Sequence, residues 1–238
     1  MKAIILAGGY GTRLRPLTNN LPKPMVPIID KPILEYIVEH LIGHGIKDII
    51  ITLGYKPESI VSHFGDGEKW GANIEYVLEE APLGTAGAVK NVEERIDSRC
   101  LVMSGDTFTN VNISNMLKFH LKSGGLVTMS VKKVDNPYGF GLVKTNDDGL
   151  VTEFVEKPEN PDGNVVNMGI YILEKEVFSY IPKDTKYDFS KDLFPRIMGD
   201  MYAHFSDCYW SDIGTLSSYY LTNNDVALSP DYFGVRLS

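Results

Sequence analysis

Cysteine is scarce in this sequence. Cys100 and Cys208 stand alone among 238 residues, with no C-x-x-C pair. That excludes a disulfide framework and a thiolate metal centre, and it fits a reducing cytoplasm with each thiol a small buried apolar group. No window approaches the ~18 consecutive apolar residues that a membrane-spanning helix requires. The first residues run straight into an apolar strand, with no basic stretch and no small-residue cleavage pattern, so a secretory leader is not expected. Positive charge is in deficit: 23 Lys and Arg stand against 31 Asp and Glu, a formal net charge of −8. Such a surface disfavours nucleic acid or an anionic membrane as the main partner, so a polyanionic substrate must be met by a local cluster of cations. There is no D-x-D, no H-E-x-x-H and no G-K-[ST]. The five histidines, at 40, 44, 63, 120 and 204, are scattered. His40 and His44 have helical spacing but no third ligand, so a solvated or half-buried helix face is expected of them rather than a metal. Repeats and low-complexity stretches are missing too, and no hexapeptide array follows residue 228.

What is present can build a sizeable core: 43% of residues are hydrophobic and 23% charged, the balance of a globular chain. Ala3 to Ala7 and Ile49 to Leu53 are continuous apolar runs, as in buried parallel strands. Helical spacing marks 32–44, with Pro32 suited to the first turn and Gly45 just past the end. Residues 57–64, 85–96, 112–122 and 214–227 also read as helices. Strands are predicted at 74–79, 101–104, 126–134, 141–145, 150–156 and 165–173. The strand–helix alternation of the first half predicts an α/β fold with a central, mostly parallel sheet flanked by helices. The strand-rich second half, broken by N-P, D-D-G and P-D-G turns, predicts a mixed or antiparallel portion.

The end of the first strand carries a concentrated signal. It reads Leu6-Ala7-Gly8-Gly9-Tyr10-Gly11-Thr12-Arg13-Leu14-Arg15, and Lys23-Pro24 follows. Backbone N–H groups in a tight glycine turn form a concave anion site, and a helix start just beyond would add positive dipole. The loop is no dinucleotide fingerprint, because Leu14 stands where the third glycine belongs. Three cations so close suit a triphosphate that must part with pyrophosphate. The plain alternative is a glycine turn with solvated arginines, and Arg15 fits that alternative as well as a site.

The ordered set LAGGYGTRLRPLT, KPMVPI, EEAPLGTAGAV (79–89), SGD (104–106), EKP (156–158), NMGIY (167–171), YDFSKDLFP (187–195) and WSDIGT (210–215) resembles the signature of the sugar nucleotidyltransferases, or nucleotide-sugar pyrophosphorylases. The resemblance spans residues 1 to about 225. It implies a Rossmann-like nucleotide-diphospho-sugar transferase fold in one catalytic domain, 1–238. Within it, 1–111 would mainly bind the NTP, 112–228 the sugar phosphate, and 229–238 would be a tail. The implied reaction joins an NTP and a sugar 1-phosphate to give an NDP-sugar and pyrophosphate. Its nucleophile is an ionised phosphate oxygen, so no general base is needed, in keeping with the missing Ser/His/Asp set.

By the same resemblance, Arg13 and Lys23 are catalytic, holding the triphosphate and stabilising charge near the α-phosphate. Leu6, Ala7, Gly8, Gly9, Gly11, Thr12, Glu79, Pro82, Gly84 and Thr85 are implied to bind the nucleotide. Gly139, Glu156, Lys157 and Asn167 are implied to bind the sugar phosphate. Asp106 and Asp212 would hold one Mg²⁺ with phosphate oxygens and water, the alternative being a turn-capping role for each. Asp188 reads as the N-cap of a helix over 189–198 and is left outside the site.

Thymidine- and uridine-specific members commonly carry Gln where Glu79 stands. A carboxylate only accepts hydrogen bonds, which suits guanine N1–H and N2–H₂ together, or a cytosine amino group, and it can still accept from uracil N3–H, so the choice tilts toward GTP. The resemblance to relatives with Glu at this position implies mannose 1-phosphate as co-substrate. UTP or dTTP with glucose 1-phosphate, GTP with heptose 1-phosphate, and a non-catalytic nucleotide-sugar sensor are the alternatives. The apolar residues Tyr232, Phe233, Val235 and Leu237 suggest a homodimer contact.

Overall fold

The computed structural model describes residues 1–234. Its strands are β1 (Lys2–Ala7), β2 (Pro27–Ile28), β3 (Lys31–Pro32), β4 (Asp48–Leu53), β5 (Asn73–Leu78), β6 (Arg99–Ser104), β7 (Thr107–Thr109), β8 (Val127–Lys133), β9 (Leu142–Thr145), β10 (Val151–Val155), β11 (Val165–Glu174), β12 (Met201–Phe205) and β13 (Trp210–Asp212). Its helices are α1 (Ile33–Gly43), α2 (Pro57–Phe64), α3 (Gly84–Lys90), α4 (Ile113–Ser123), α5 (Phe194–Ile197) and α6 (Leu216–Leu228). A nine-stranded sheet, mixed and mostly parallel, is flanked by helices, the expected α/β class.

The chain passes alternately through two compact units. The first comprises Met1–Ile4, Ala81–Met103 and Asn112–Asp207. Its strands follow the order β10-β9-β11-β6-β1, with β8 and β12 branching from β11. β11 is antiparallel to β6, β8 and β9, while β12 runs parallel to β8. The ten residues of β11 bury Val166, Met168, Ile170, Ile172 and Leu173 nearly completely, the pattern of a strand covered on both faces. Asn112 caps α4 by accepting from the Asn115 N–H at 2.9 Å, and Gly124 ends the helix at φ +70°, the left-handed position that glycine fills without strain.

The second unit comprises Ile5–Glu80, Ser104–Val111 and the chain from Cys208. Here β1, β4 and β5 are neighbours, and β4 runs parallel to β5. Ile49, Ile50, Ile51 and Leu53 of β4 are buried on both faces. α1 buries Ile33, Leu34, Ile37, Val38 and Leu41, a single apolar stripe at helical spacing. α6 begins with a capping box between Thr215 and Ser218, which satisfies two orphan N–H groups reciprocally.

Several expectations need correction. The glycine loop leads not to an α-helix but to one 3-10 turn, Thr12–Leu14, because the chain turns away at Pro16. The predicted helix over 85–96 stops at Lys90 and resumes as a short 3-10 turn, Glu93–Arg95. Residues 189–198 open with a π-turn, Phe189–Leu193, before α5. Cys100 is fully buried, with burial first and the Glu174 carboxylate second pushing its thiol up to about 12. Cys208 is only half-buried, its Sγ 3.9 Å from Thr109 Oγ1. Phe233 packs its ring 4.8 Å from Tyr209 and 5.5 Å from Phe108, whereas Tyr232 is exposed. Val235 and Leu237 lie outside the described residues. Among the described residues no helix is long and apolar enough to cross a membrane.

Candidate active site

The glycine loop belongs wholly to the second unit. Leu6 and Ala7 end β1, and Gly8 begins the turn. A Cβ on Gly54 would lie 2.6 Å from the Gly8 carbonyl oxygen, so the end of β4 approaches the loop too closely for any side chain. A Cβ on Gly8 would lie 2.9 Å from Glu79 Oε1. The Glu79 carboxylate therefore rests against bare loop backbone, and the Glu79 main-chain N–H donates to the Leu53 carbonyl at 2.8 Å. Gly11 adopts φ +63° and is fixed by the Thr18 hydroxyl, which donates to its carbonyl at 2.7 Å. A Cβ there would meet Thr18 Cγ2 at 2.9 Å and Lys23 Cβ at 3.0 Å. Gly9, Thr12, Arg13 and Arg15 are on or near the exposed side of this turn.

Lys23, Asp106 and Asp212 converge. The Lys23 ammonium forms an ion pair with Asp106 Oδ2 and lies 3.9 Å from Asp212 Oδ1. Two backbone devices bring the carboxylates together. The Gly105 N–H donates to the Leu6 carbonyl at 2.9 Å, which ties the SGD turn to the end of β1. β13 pairs antiparallel with β7, Asp212 opposite Thr107, and the Ile213 N–H donates to the Asp106 carbonyl at 3.0 Å. Gly214 completes the cluster: a Cβ on it would lie 3.2 Å from Arg13 Nη2 and 3.3 Å from Asp212 Oδ2. Two cations and two carboxylates thus share one patch. The side chains of Lys23 and Asp106 are 12% and 19% exposed, that of Asp212 37%. Charge there is partly shielded from water and correspondingly stronger.

This patch can take a divalent cation. Its two carboxylates already point at one positive charge, and carboxylate oxygens suit Mg²⁺, which commonly binds one or two of them and fills its shell with phosphate oxygens and water. Among the described residues no group of three or more His, Cys, Asp or Glu could hold a metal. The protein therefore offers part of a coordination shell, not a closed cage. His40 and His44 are no rival centre, since His40 Nε2 is engaged with the Val111 carbonyl at 2.8 Å.

The remaining candidates lie in the first unit. Pro82 and Thr85 are exposed, and Gly84 begins α3 at φ +71°. The Thr85 N–H and hydroxyl both donate to Asp188 Oδ1, at 3.2 and 3.3 Å. Asp188 therefore does not cap its own helix; it caps α3. Glu156 and Lys157 follow β10. A Cβ on Gly141 would lie 2.7 Å from Phe154 Cζ and 3.0 Å from Glu156 Oε2, so the Glu156 carboxylate occupies the room that Gly141 leaves. Lys157 sits in the left-handed region at φ +47°, its ammonium 3.3 Å from Glu156 Oε1, a sparsely populated conformation for a residue with a Cβ. Gly139, at φ +84°, is exposed and has open space around it.

Asn167 is committed locally. Its Nδ2 donates to the Tyr171 hydroxyl at 2.7 Å, and its Oδ1 accepts from the Gly169 N–H at 2.9 Å. The β11–β8 register shifts between Asn167 and Tyr171, with Gly169 at φ +73°. Four residues of β11 thus advance against two of β8, a local break in the ladder at Asn167. Tyr171 is buried, and burial first, with the Glu156 carboxylate adding and the Asn167 amide opposing, raises its pKa above that of a free phenol.

Sequence reasoning passed over Thr18, Gly54, Gly105, Gly214, Tyr171 and the true role of Asp188. A glycine just after an apolar strand was the available signal for Gly54 and Gly105. Thr18, Gly214 and Tyr171 stand inside the quoted motifs, which give them no role, and the partner of Asp188 lies about a hundred residues away.

The Nucleotidyl transferase family profile matches residues 2–229. A mannose-1-phosphate guanylyltransferase of Mycobacterium tuberculosis is 35% identical over 98% of this chain and 68% of its own length. A UTP–glucose-1-phosphate uridylyltransferase of Synechocystis is 37% identical over 92% of this chain and 62% of its own length. The chain thus spans roughly two thirds of these curated relatives. A Bacillus anthracis protein provisionally named a glucose-1-phosphate thymidylyltransferase, crystallised with sucrose, superimposes with a TM-score of 0.88 at 27% identity, covering 99% of this chain and 100% of that one.

Proposed function

We propose a reaction from a firm premise: the chain belongs to the nucleotidyl transferase family. The reaction is transfer of a nucleotidyl group to a sugar 1-phosphate, releasing pyrophosphate, with GTP and mannose 1-phosphate as the favoured pair. The sugar phosphate oxygen attacks the α-phosphorus in line, and the bond to the β-phosphate oxygen breaks. The attacking oxygen is already ionised, so the protein's task is to align two polyanions and offset their charge.

One observation carries the reading: Lys23 lies on Asp106 and near Asp212, with Arg13 against the same Gly214 backbone. Arg13 would hold the triphosphate and the departing pyrophosphate, and Lys23 would stabilise charge at the α-phosphate. The loop Leu6–Thr12 would lie along the nucleotide, and Pro82, Gly84 and Thr85 would line it. Glu156, Lys157, Gly139 and Asn167 would take the sugar phosphate. Asp106 and Asp212 would hold Mg²⁺, which when bound neutralises phosphate charge and leaves the cluster with a net excess of two positive charges. That excess answers the −8 of the whole chain, which otherwise repels such substrates.

The lean toward GTP rests on Glu79. Its carboxylate, set against Gly8, is acceptor-only and matches the paired donors of guanine. A second reading, UTP or dTTP with glucose 1-phosphate, is favoured by the Synechocystis and Bacillus anthracis proteins, because a carboxylate also accepts from the single N3–H of uracil or thymine. GTP with heptose 1-phosphate keeps the same guanine contact. A sensor without catalysis has no need of all four charges. The setting is the cytoplasm. A homodimer would draw on the exposed Tyr220, Leu221, Leu228 and Tyr232.

The test is pyrophosphate release from GTP, UTP, dTTP, CTP and ATP, each paired with mannose, glucose, N-acetylglucosamine and heptose 1-phosphates, with Mg²⁺ and with chelator. The expected result is Mg²⁺-dependent release, fastest with GTP and mannose 1-phosphate. Nucleotide-sugar binding with no release from any pair would support the sensor instead.

A further inference from the structure

The first turn of α3 spends its hydrogen-bond donors on a loop about a hundred residues away. The Thr85 N–H and hydroxyl donate to Asp188 Oδ1, while the Ala86 and Gly87 N–H groups both donate to the Tyr187 carbonyl, each at 2.9 Å. The loop reciprocates. The Phe189 N–H donates to Thr85 Oγ1 at 2.9 Å, and the Tyr187 N–H donates to the Leu83 carbonyl at 2.8 Å. Two glycines make this approach possible. A Cβ on Gly84 would lie 2.8 Å from the Tyr187 carbonyl oxygen, and one on Gly87 would lie 2.7 Å from that of Thr185. The Asp188 N–H in turn donates to Asp192 Oδ2 at 2.7 Å, which fixes the loop at the start of the π-turn.

The consequence for α3 is specific. Its first-turn N–H groups from Thr85 to Gly87 are already satisfied, so they do not serve as an anion site. What the segment offers a ligand is the surface of Pro82–Thr85, and the Asp188 carboxylate is the side-chain acceptor among the bonds that hold its shape. Removing it leaves the Thr85 N–H and hydroxyl without their acceptor. The segment then samples other conformations, and the cost of ordering it falls on the binding step.

We propose that Asp188 is a positioning residue for the nucleotide: it touches no reacting atom but holds Thr85, and through it Pro82–Thr85, in the geometry that receives the NTP. This rests on the assignment of Pro82–Thr85 to the nucleotide under the proposed function. The Asp188 bond differs from an ordinary cap because its helix and its loop meet from distant parts of the sequence, at the segment that faces the ligand. Losing a hydrogen bond to a charged acceptor corresponds to about a tenfold to hundredfold change in affinity.

The experiment compares wild type, Asp188→Ala, Asp188→Asn and Thr85→Val in three measurements: KM for the NTP against kcat, calorimetric affinity for GTP and UTP, and amide exchange at residues 85–87. The expected result for Asp188→Ala is a KM for the NTP raised about tenfold to a hundredfold, kcat within about threefold, and faster exchange at Thr85. Asp188→Asn, which keeps an acceptor oxygen, should recover most of the affinity, and Thr85→Val should fall between. Faster exchange with unchanged nucleotide affinity would overturn the proposal, leaving Asp188 a purely structural cap. So would unchanged exchange and affinity together. Should Asp188→Ala fail to fold, Asp188→Asn and Thr85→Val are judged by the same affinities. A wild type without turnover would sink the proposed reaction, while the calorimetric comparison would still decide the role of Asp188.

Discussion

The Lys23 ammonium pairs with the Asp106 carboxylate and lies 3.9 Å from Oδ1 of Asp212. One cation thus holds two carboxylates that the β7–β13 pairing brings together from distant parts of the chain. Replacing Lys23 by Met removes that charge and leaves the carboxylates facing each other. The expected loss in kcat is about 10² to 10³, the typical effect of deleting one preorganised charge-stabilising contact. Mg²⁺ should also raise the melting temperature of the variant more than that of the wild type, because the metal would then supply the missing positive charge. Thermal scans in chelator and in Mg²⁺ check the second point.

Glu79 should govern the choice of base. Glu79→Gln exchanges an acceptor-only group for an amide that can also donate. The expected outcome is at least a tenfold fall in the ratio of kcat/KM for GTP over that for UTP, in line with ~1–3 kcal/mol for a bidentate base contact. Gly8→Ala, whose methyl would lie 2.9 Å from Glu79 Oε1, should raise KM for every nucleotide because it displaces the carboxylate.

Gly141 should govern the sugar phosphate. A methyl there would lie 2.7 Å from Phe154 Cζ and 3.0 Å from Glu156 Oε2. Gly141→Ala should push Glu156 aside and raise KM for the sugar 1-phosphate severalfold or more, with KM for the NTP nearly unchanged. Initial rates with each substrate varied in turn separate the two.

His40 should make stability fall with acid. Burial first, and then neighbouring His44, pulls its pKa down to about 4. Between the ordinary value of 6.5 and about 4, the unfolded chain binds a proton that the folded chain refuses. Stability is therefore full above pH ~6.5 and declines as pH falls toward 4, by about 2–3 kcal/mol from this group. His40→Gln should remove that share of the slope, as urea unfolding at pH 7, 5.5 and 4.5 would show.

The long apolar strands were legible because β1 and β4 are buried on both faces and read as continuous runs. α1 was legible from helical spacing and Gly45 just past its end, and α4 as a helix over 112–122, whose first residue, Asn112, the structure makes the cap. The site was legible where glycine or charge stood beside a strand end, as at Gly8, Arg13 and Lys23. It was not legible where a short strand did the positioning. β7 and β13 have three residues each, too few to show a period, yet their pairing sets Asp212 beside Asp106. Asp188 misled for a related reason. An acid before an apolar run reads as the cap of the helix just after it, whereas this carboxylate caps a helix a hundred residues earlier, a partner no local pattern can name. Tyr171 was invisible because a buried tyrosine in a strand reads as core until its hydroxyl is found on Asn167.

The most direct measurement is Mg²⁺-dependent pyrophosphate release by wild type and Asp212→Asn on the best substrate pair. The substitution keeps the size of the side chain and removes one charge of the converging pair. The expected result is release by the wild type that chelator abolishes, and a variant slower by about 10² or more with its fold intact. Equal rates in the two proteins, or release indifferent to chelator, would contradict the assignment of this charge cluster as the catalytic centre.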